Sequence, residues 1–251
     1  MIKLITPQRI PITCYQEWTR PKKKYQWKAG RSAMELARSW FRHGQAEPPD
    51  ELLSLLRSST RLHNIQINTG IPELVTPLPE RGEGRNHDLA LIAHTPTEQV
   101  TITIEAKADE PFGSDTILEY YTKAIKKRDS GTPTRVPERI EQLMALVAPG
   151  VSIYKSQWGE VRYQLLTALC GTILQAQADD STLAILVVHE FQSDETNREK
   201  QAENHKEFEL LTSLLLGNYL KMQPGKLYDG IQVDGKEVMV GKITTVLASE
   251  D

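Results

Sequence analysis

Hydrophobic and polar positions alternate most strictly over residues 100–107. Val100, Ile102, Ile104 and Ala106 fall on one face, and Thr101, Thr103, Glu105 and Lys107 on the other. A period of two predicts a strand with one buried and one polar face. Residues 88–94 form a second short run, opened by Asp88, and 95–99 are a plausible hairpin connection. A turn about Thr97 or Gln99 would set Asp88 opposite Ala106 or Lys107. Residues 182–191 are apolar almost without a break, which predicts a strand buried on both faces.

Helical spacing appears elsewhere. Ser32 with Glu35 three residues on predicts a capping box, leading a helix to about Phe41. Asp50 opens a second helix rich in leucine. Ile65 and Ile67 predict a short strand over 62–68, followed by a turn-rich loop over 69–86. Further helices are expected over 115–128 (capped by Ser114), 136–147 and 162–177. Residues 192–206 are polar; 208–220 read as a helix. Asp234-Gly235 marks a closing hairpin between 231–233 and 238–247.

The resulting division is a basic N-terminal arm over 1–31, a core over 32–191, and a C-terminal helix and hairpin over 192–251 packed on the same domain. Composition changes little in this picture. The 251 residues are 39% hydrophobic and 25% charged, ordinary for a globular chain. The net charge of −3 means that affinity for nucleic acid must come from local basic patches or a metal site. Two distant cysteines, Cys14 and Cys170, read as reduced thiols. No apolar run reaches the length of a membrane span, and a cytoplasmic location is expected.

The chemistry concentrates at one end of the predicted hairpin. Asp88 and Glu105 supply hard oxygen ligands and Lys107 a cation, a combination suited to holding Mg²⁺ against a phosphate. The alternative is an exposed ion pair on a solvent-facing hairpin, worth about 0–1 kcal/mol. Asp234-Gly235-Lys236 repeats the acid-x-Lys spacing, but in a turn with no acid-opened strand before it. His189-Glu190 lacks the second histidine of a zinc protease.

With an acid opening the second strand and Glu-x-Lys closing the third, the chain resembles the PD-(D/E)XK nuclease superfamily over residues 32–191. His87 stands where the family usually has proline. The resemblance implies an α/β fold: a restriction-endonuclease-like mixed sheet flanked by helices in the order αβββαβ, with N- and C-terminal additions. It implies a metal-dependent nuclease using Mg²⁺ or Mn²⁺. Asp88, Glu105 and the Ala106 carbonyl would be ligands, Glu35 a further one, and Lys107 would assist the attacking water. Gln164 and Arg162 are accessory candidates on the helix after the motif. Backbone contacts with nucleic acid, DNA ahead of RNA, fall to Lys123, Lys126, Lys127 and Arg128, and to Lys22, Lys23 and Lys24 in the arm. A homo-oligomer or a partner protein is expected to complete the assembly. The competing reading is a catalytically silent binding or assembly module on the same fold.

Overall fold

The computed structural model describes residues 2–21 and 27–247. One mixed sheet runs through them. Its strands are β1 (Lys3–Leu4), β2 (Gln66–Thr76), β3 (Arg85–His94), β4 (Gln99–Lys107), β5 (Leu183–Gln192), β6 (Leu227–Val233) and β7 (Lys236–Val246), in the spatial order β1-β2-β3-β4-β5-β7-β6. The helices are α1 (Ser32–Ser39), α2 (Asp50–Arg57), α3 (Ile117–Asp129), α4 (Val136–Val147), α5 (Tyr163–Ala178) and α6 (Arg198–Leu216).

The continuous apolar run of β5 explains the layering. Leu183, Ile185 and Val187 enter a core shared with Leu36, Trp40, Leu52 and Leu55 of the α1 and α2 region. Ala184, Leu186 and Val188 enter the opposite core, with Leu165 and Leu169 of α5, Ile140 of α4 and Phe208 of α6. A strand buried on both faces needs helices above and below it, and neighbours on both edges. It pairs in parallel with β4 on one side and β7 on the other.

That pairing changes the reading of the C-terminus. The final hairpin joins the main sheet: α6 leads to the edge strand β6, and the turn after β6 brings β7 in between β6 and β5. Most of the polar stretch expected to precede the last helix forms the first half of α6. Asn197 caps the helix by accepting from the Lys200 amide at 3.1 Å. Gln201 and Asn204 are buried there and donate to the carbonyls of Ala108 (2.9 Å), Phe191 (3.1 Å) and Glu110 (2.9 Å). Polar groups inside are stable when paired this way, so a helix with little apolar content can still bury one face.

Two other expectations are corrected. The loop read over 69–86 is largely strand: β2 continues to Thr76 and β3 starts at Arg85. Pro72 is tolerated because β1 pairs β2 only at Thr69 and Gly70, leaving Pro72 on a free edge where no N–H is needed. The N-terminal segment, expected as a basic arm, contributes to the core in its described part. Leu4, Ile12 and Trp18 are buried in the α1–α2 core.

Lys242 and Glu190 pair at 2.8 Å beneath α6, each at most 3% exposed. No helix of the described residues is long and apolar enough to cross a membrane.

Candidate active site

The hairpin carrying the acid and the Glu-x-Lys motif forms, with a register differing from the expected one. His94 pairs with Gln99, and the ladder ends at Leu89 and Ile104. Thr95 sets this turn by accepting from the amides of Thr97 (3.3 Å) and Glu98 (3.2 Å) through its hydroxyl. Continuing the register places Asp88 across from Glu105, not from Ala106 or Lys107. The strands part there, and the Asp88 carboxylate takes the place of a ladder acceptor: the Ala106 N–H donates to it at 2.7 Å.

The polar face of β4 is not solvent-facing. Thr101, Thr103, Glu105 and Lys107 are all buried beneath α5, which removes the exposed ion-pair alternative. Lys107 Nζ donates to Glu105 Oε1 at 2.8 Å, and Gln164 Nε2 donates to the same oxygen at 2.7 Å. Arg85 pairs with Glu105 Oε2. Burial pulls the Lys107 ammonium down to about 8; Asp88 opposes that shift and Arg85 adds to it. Burial raises the Asp88 carboxyl, while Lys107 and the Ala106 amide hold it down.

These residues line one cleft of about 540 Å³. Asp88, Glu105, Ala106, Lys107 and Gln164 meet there, and Arg85, Glu110, Arg139 and the mutually tilted rings of Tyr120 and Tyr163 (centroids 4.4 Å apart) complete it. The start of α3 bonds to the start of α5, Ile117 N to the Val161 carbonyl at 2.8 Å, and so brings the two tyrosines together.

Other predicted site residues lie elsewhere. Glu35 accepts from the Gly30 amide at 2.9 Å and from Arg38 at 3.1 Å, outside the cleft lining. The predicted capping box is absent: Arg31 is the N-cap of α1 without a side-chain bond, and Ser32 donates to Glu110 instead. A capping box does form at Thr116 and Glu119 of α3, two residues beyond the expected Ser114. Arg162 pairs with Glu207 at 2.6 Å and bonds to the Ser114 carbonyl, tying the start of α5 to α6 and to the segment before α3. Lys123 pairs with Asp115 and Arg128 with Glu138; Lys126 and Lys127 are exposed at the end of α3. None of these four lines the cleft. Lys22, Lys23 and Lys24 lie outside the described residues.

Arg85 and the tyrosine pair escaped the sequence reading. Arg85 sits in the stretch taken for a loop, and the only trace of its role is at Gly171 of α5. A Cβ there would come within 2.7 Å of Arg85 Cγ and 3.0 Å of His87 Cε1. Gly171→Ala is therefore expected to cost about 1–3 kcal/mol through overpacking, despite the roughly 0.5–1 kcal/mol that alanine gains in a helix. Denaturant unfolding checks this; a stabilised variant would mean that Arg85 moves aside freely.

His87 is buried behind the cleft, bonded through Nε2 to Thr76 at 2.9 Å, and His189 is buried on β5 against Thr245 at 2.9 Å. Burial holds both near 3, with Arg85 adding at His87 and Arg42 at His189. Unfolded histidines titrate near 6.5. Between about pH 6.5 and 3 the unfolded chain binds more protons, so stability falls as pH falls through that window. The slope approaches about 1.4 kcal/mol per pH unit for each histidine. Denaturation midpoints at pH 7 and pH 5 test this, and equal midpoints would show protonation without unfolding.

A family model described as a domain of unknown function, DUF6946, matches residues 11–247. The chain belongs to the DUF6946 family. No curated protein and no solved structure matches it. The DUF6946 match covers β2 to β7 and all six helices, leaving out only β1 of the sheet, so the cleft falls within one family domain.

Five carboxylates line the cleft, of which Asp88 and Glu105 flank the point where β3 and β4 part, and no group of three or more His, Cys, Asp or Glu side chains placed to hold a metal occurs among the described residues. Two carboxylates suit a hard cation that keeps several waters and binds a substrate phosphate as well. The donor set fits Mg²⁺ or Mn²⁺, with Arg85 as the cation that would compete with the metal at Glu105 Oε2.

Proposed function

We propose that this protein is a metal-dependent nuclease of the PD-(D/E)XK type, hydrolysing phosphodiester bonds in DNA. The observation that supports it most is the convergence of Asp88, Glu105 and Lys107 in one cleft where β3 and β4 part. The element order α1–β2–β3–β4–α5–β5, with β4 and β5 parallel, is consistent with a restriction-endonuclease-like core into which α2, α3 and α4 are inserted.

Asp88 and Glu105, with the Ala106 carbonyl, would hold Mg²⁺ or Mn²⁺. When bound, the cation supplies charge neutralisation at the scissile phosphate and a more acidic water. Lys107 orients that water from the polar face of β4 and stabilises the charge developing on the phosphate. Gln164, bonded to Glu105, fixes the carboxylate plane. Close pairing of acids with Lys107 limits the repulsion between the carboxylates before metal arrives.

The test is cleavage of plasmid DNA, single-stranded DNA and RNA with Mg²⁺ or Mn²⁺. Metal-dependent cutting of DNA that is lost in Glu105→Gln supports the proposal. Cutting of RNA alone would change the substrate. Metal binding that requires Asp88 and Glu105 without any cutting would favour the silent module or a missing partner protein.

A further inference from the structure

Glu105 is heavily engaged. Its Oε1 accepts from Lys107 and Gln164, and its Oε2 from Arg85. A carboxylate has about four lone-pair sites, so a cation bound through Oε2 would sit directly beside the Arg85 guanidinium and be repelled by it. Gln164 is neutral, and Lys107 is the group assigned to the attacking water in the nuclease reading. Arg85 is the cation whose arrangement is incomplete. It is 9% exposed, lines the cleft, and its buried Nε has no hydrogen-bond acceptor. An unmet donor on a buried guanidinium is unfavourable. The side chain lies against Gly171, where only the absence of a Cβ leaves it room.

The charge of the cleft sharpens the point. Its lining includes Glu73, Glu83, Asp88, Glu105 and Glu110 against Arg85, Lys107 and Arg139. Arg139 is committed to backbone carbonyls, at 3.0 Å from Pro79, 2.9 Å from Glu83 and 3.4 Å from Glu80. An anionic substrate entering this acidic cleft needs a cationic fork. A guanidinium meets two phosphate oxygens at once and would use the donor now left unmet.

We propose that Arg85 is a phosphate-binding residue, held on Glu105 as its counter-ion until a divalent cation takes over that carboxylate. This rests on the nuclease reading of the cleft. Before metal loading, Arg85 neutralises Glu105. Once Glu105 turns to the metal, Arg85 is released towards the cleft and grips a non-bridging phosphate oxygen. The same side chain thus competes with metal and assists substrate.

The two roles predict opposite shifts in one variant. In Arg85→Gln, Mn²⁺ affinity, read by electron paramagnetic resonance, is expected to tighten about threefold to tenfold, because a charge-assisted hydrogen bond no longer competes. Affinity for thymidine 5′-phosphate in Mn²⁺, read by titration calorimetry, is expected to weaken about tenfold for loss of one charged phosphate contact. Arg85→Lys keeps a charge on Glu105 but loses the fork, so Mn²⁺ affinity stays near wild type while phosphate affinity falls. Unchanged Mn²⁺ affinity in Arg85→Gln overturns the proposal, as does a parallel loss of both affinities. If Arg85→Gln does not fold, Arg85→Lys decides: unchanged phosphate affinity overturns the proposal. Mn²⁺ binding by neither wild type nor variant instead defeats the metal reading of the cleft itself.

Discussion

Lys107→Met is expected to lower metal-dependent cleavage about 10²–10⁴-fold, the range for losing a positioned proton-transfer group. Mn²⁺ binding should survive, because both carboxylates remain. Methionine is chosen because of the surroundings. Lys107 Nζ lies 5.1 Å from the centre of the Phe112 ring, and an unbranched thioether packs well at that distance. The choice of variant matters more at Glu105. Alanine there would leave Arg85 and Lys107 buried without their carboxylate, and breaking a buried pair from one side costs about 3–5 kcal/mol. An inactive Glu105→Ala protein could then be an unfolded one. Glu105→Gln keeps the shape and an acceptor oxygen. Kinetics alongside circular dichroism separate the cases, and a Lys107→Met protein that cleaves at the wild-type rate would remove lysine from the mechanism.

Lys242→Ala is expected to be among the most destabilising single changes outside the cleft, at about 3–5 kcal/mol. It strands Glu190, whose remaining contacts are Gln192 at 3.0 Å and Thr244 at 3.5 Å. At about 2–4 °C per kcal/mol for a chain of this size, the melting temperature should drop by roughly 6–20 °C. Removing both charges tells a different story. Glu190→Leu combined with Lys242→Met should recover most of the loss, since apolar replacement of a buried pair is often neutral or better. Thermal unfolding of the single and double variants gives the coupling directly. A double variant no more stable than Lys242→Ala would mean that the site cannot repack.

Much of the core was legible because period and burial agree there. Val100 to Ala106 and Leu183 to Val188 carry their environment in their own alternation or continuity, and 136–147 became α4 at the expected bounds. The meeting of Asp88, Glu105 and Lys107 was legible as far as they share a hairpin end. What failed did so where distant partners override local pattern. Pro72 reads as a breaker until its edge position is known. Gln201 and Asn204 read as solvated until their carbonyl partners are known. Glu35 reads as a ligand or a cap, yet its partners are Gly30 and Arg38. Arg85 could not be found from spacing at all, since its meaning depends on Gly171 and Glu105, which are far from it in sequence.

The place of β7 has a consequence for how the chain is made. Its last strand is an interior strand, and until residues 236–246 leave the ribosome β5 presents an open, strongly apolar edge. At about 5–20 residues per second, that edge waits roughly 3–11 s after β5 itself is complete. An unpaired apolar edge is a template for pairing with other chains. Nascent chains stalled before β7 should therefore be the form of this protein most in need of a chaperone.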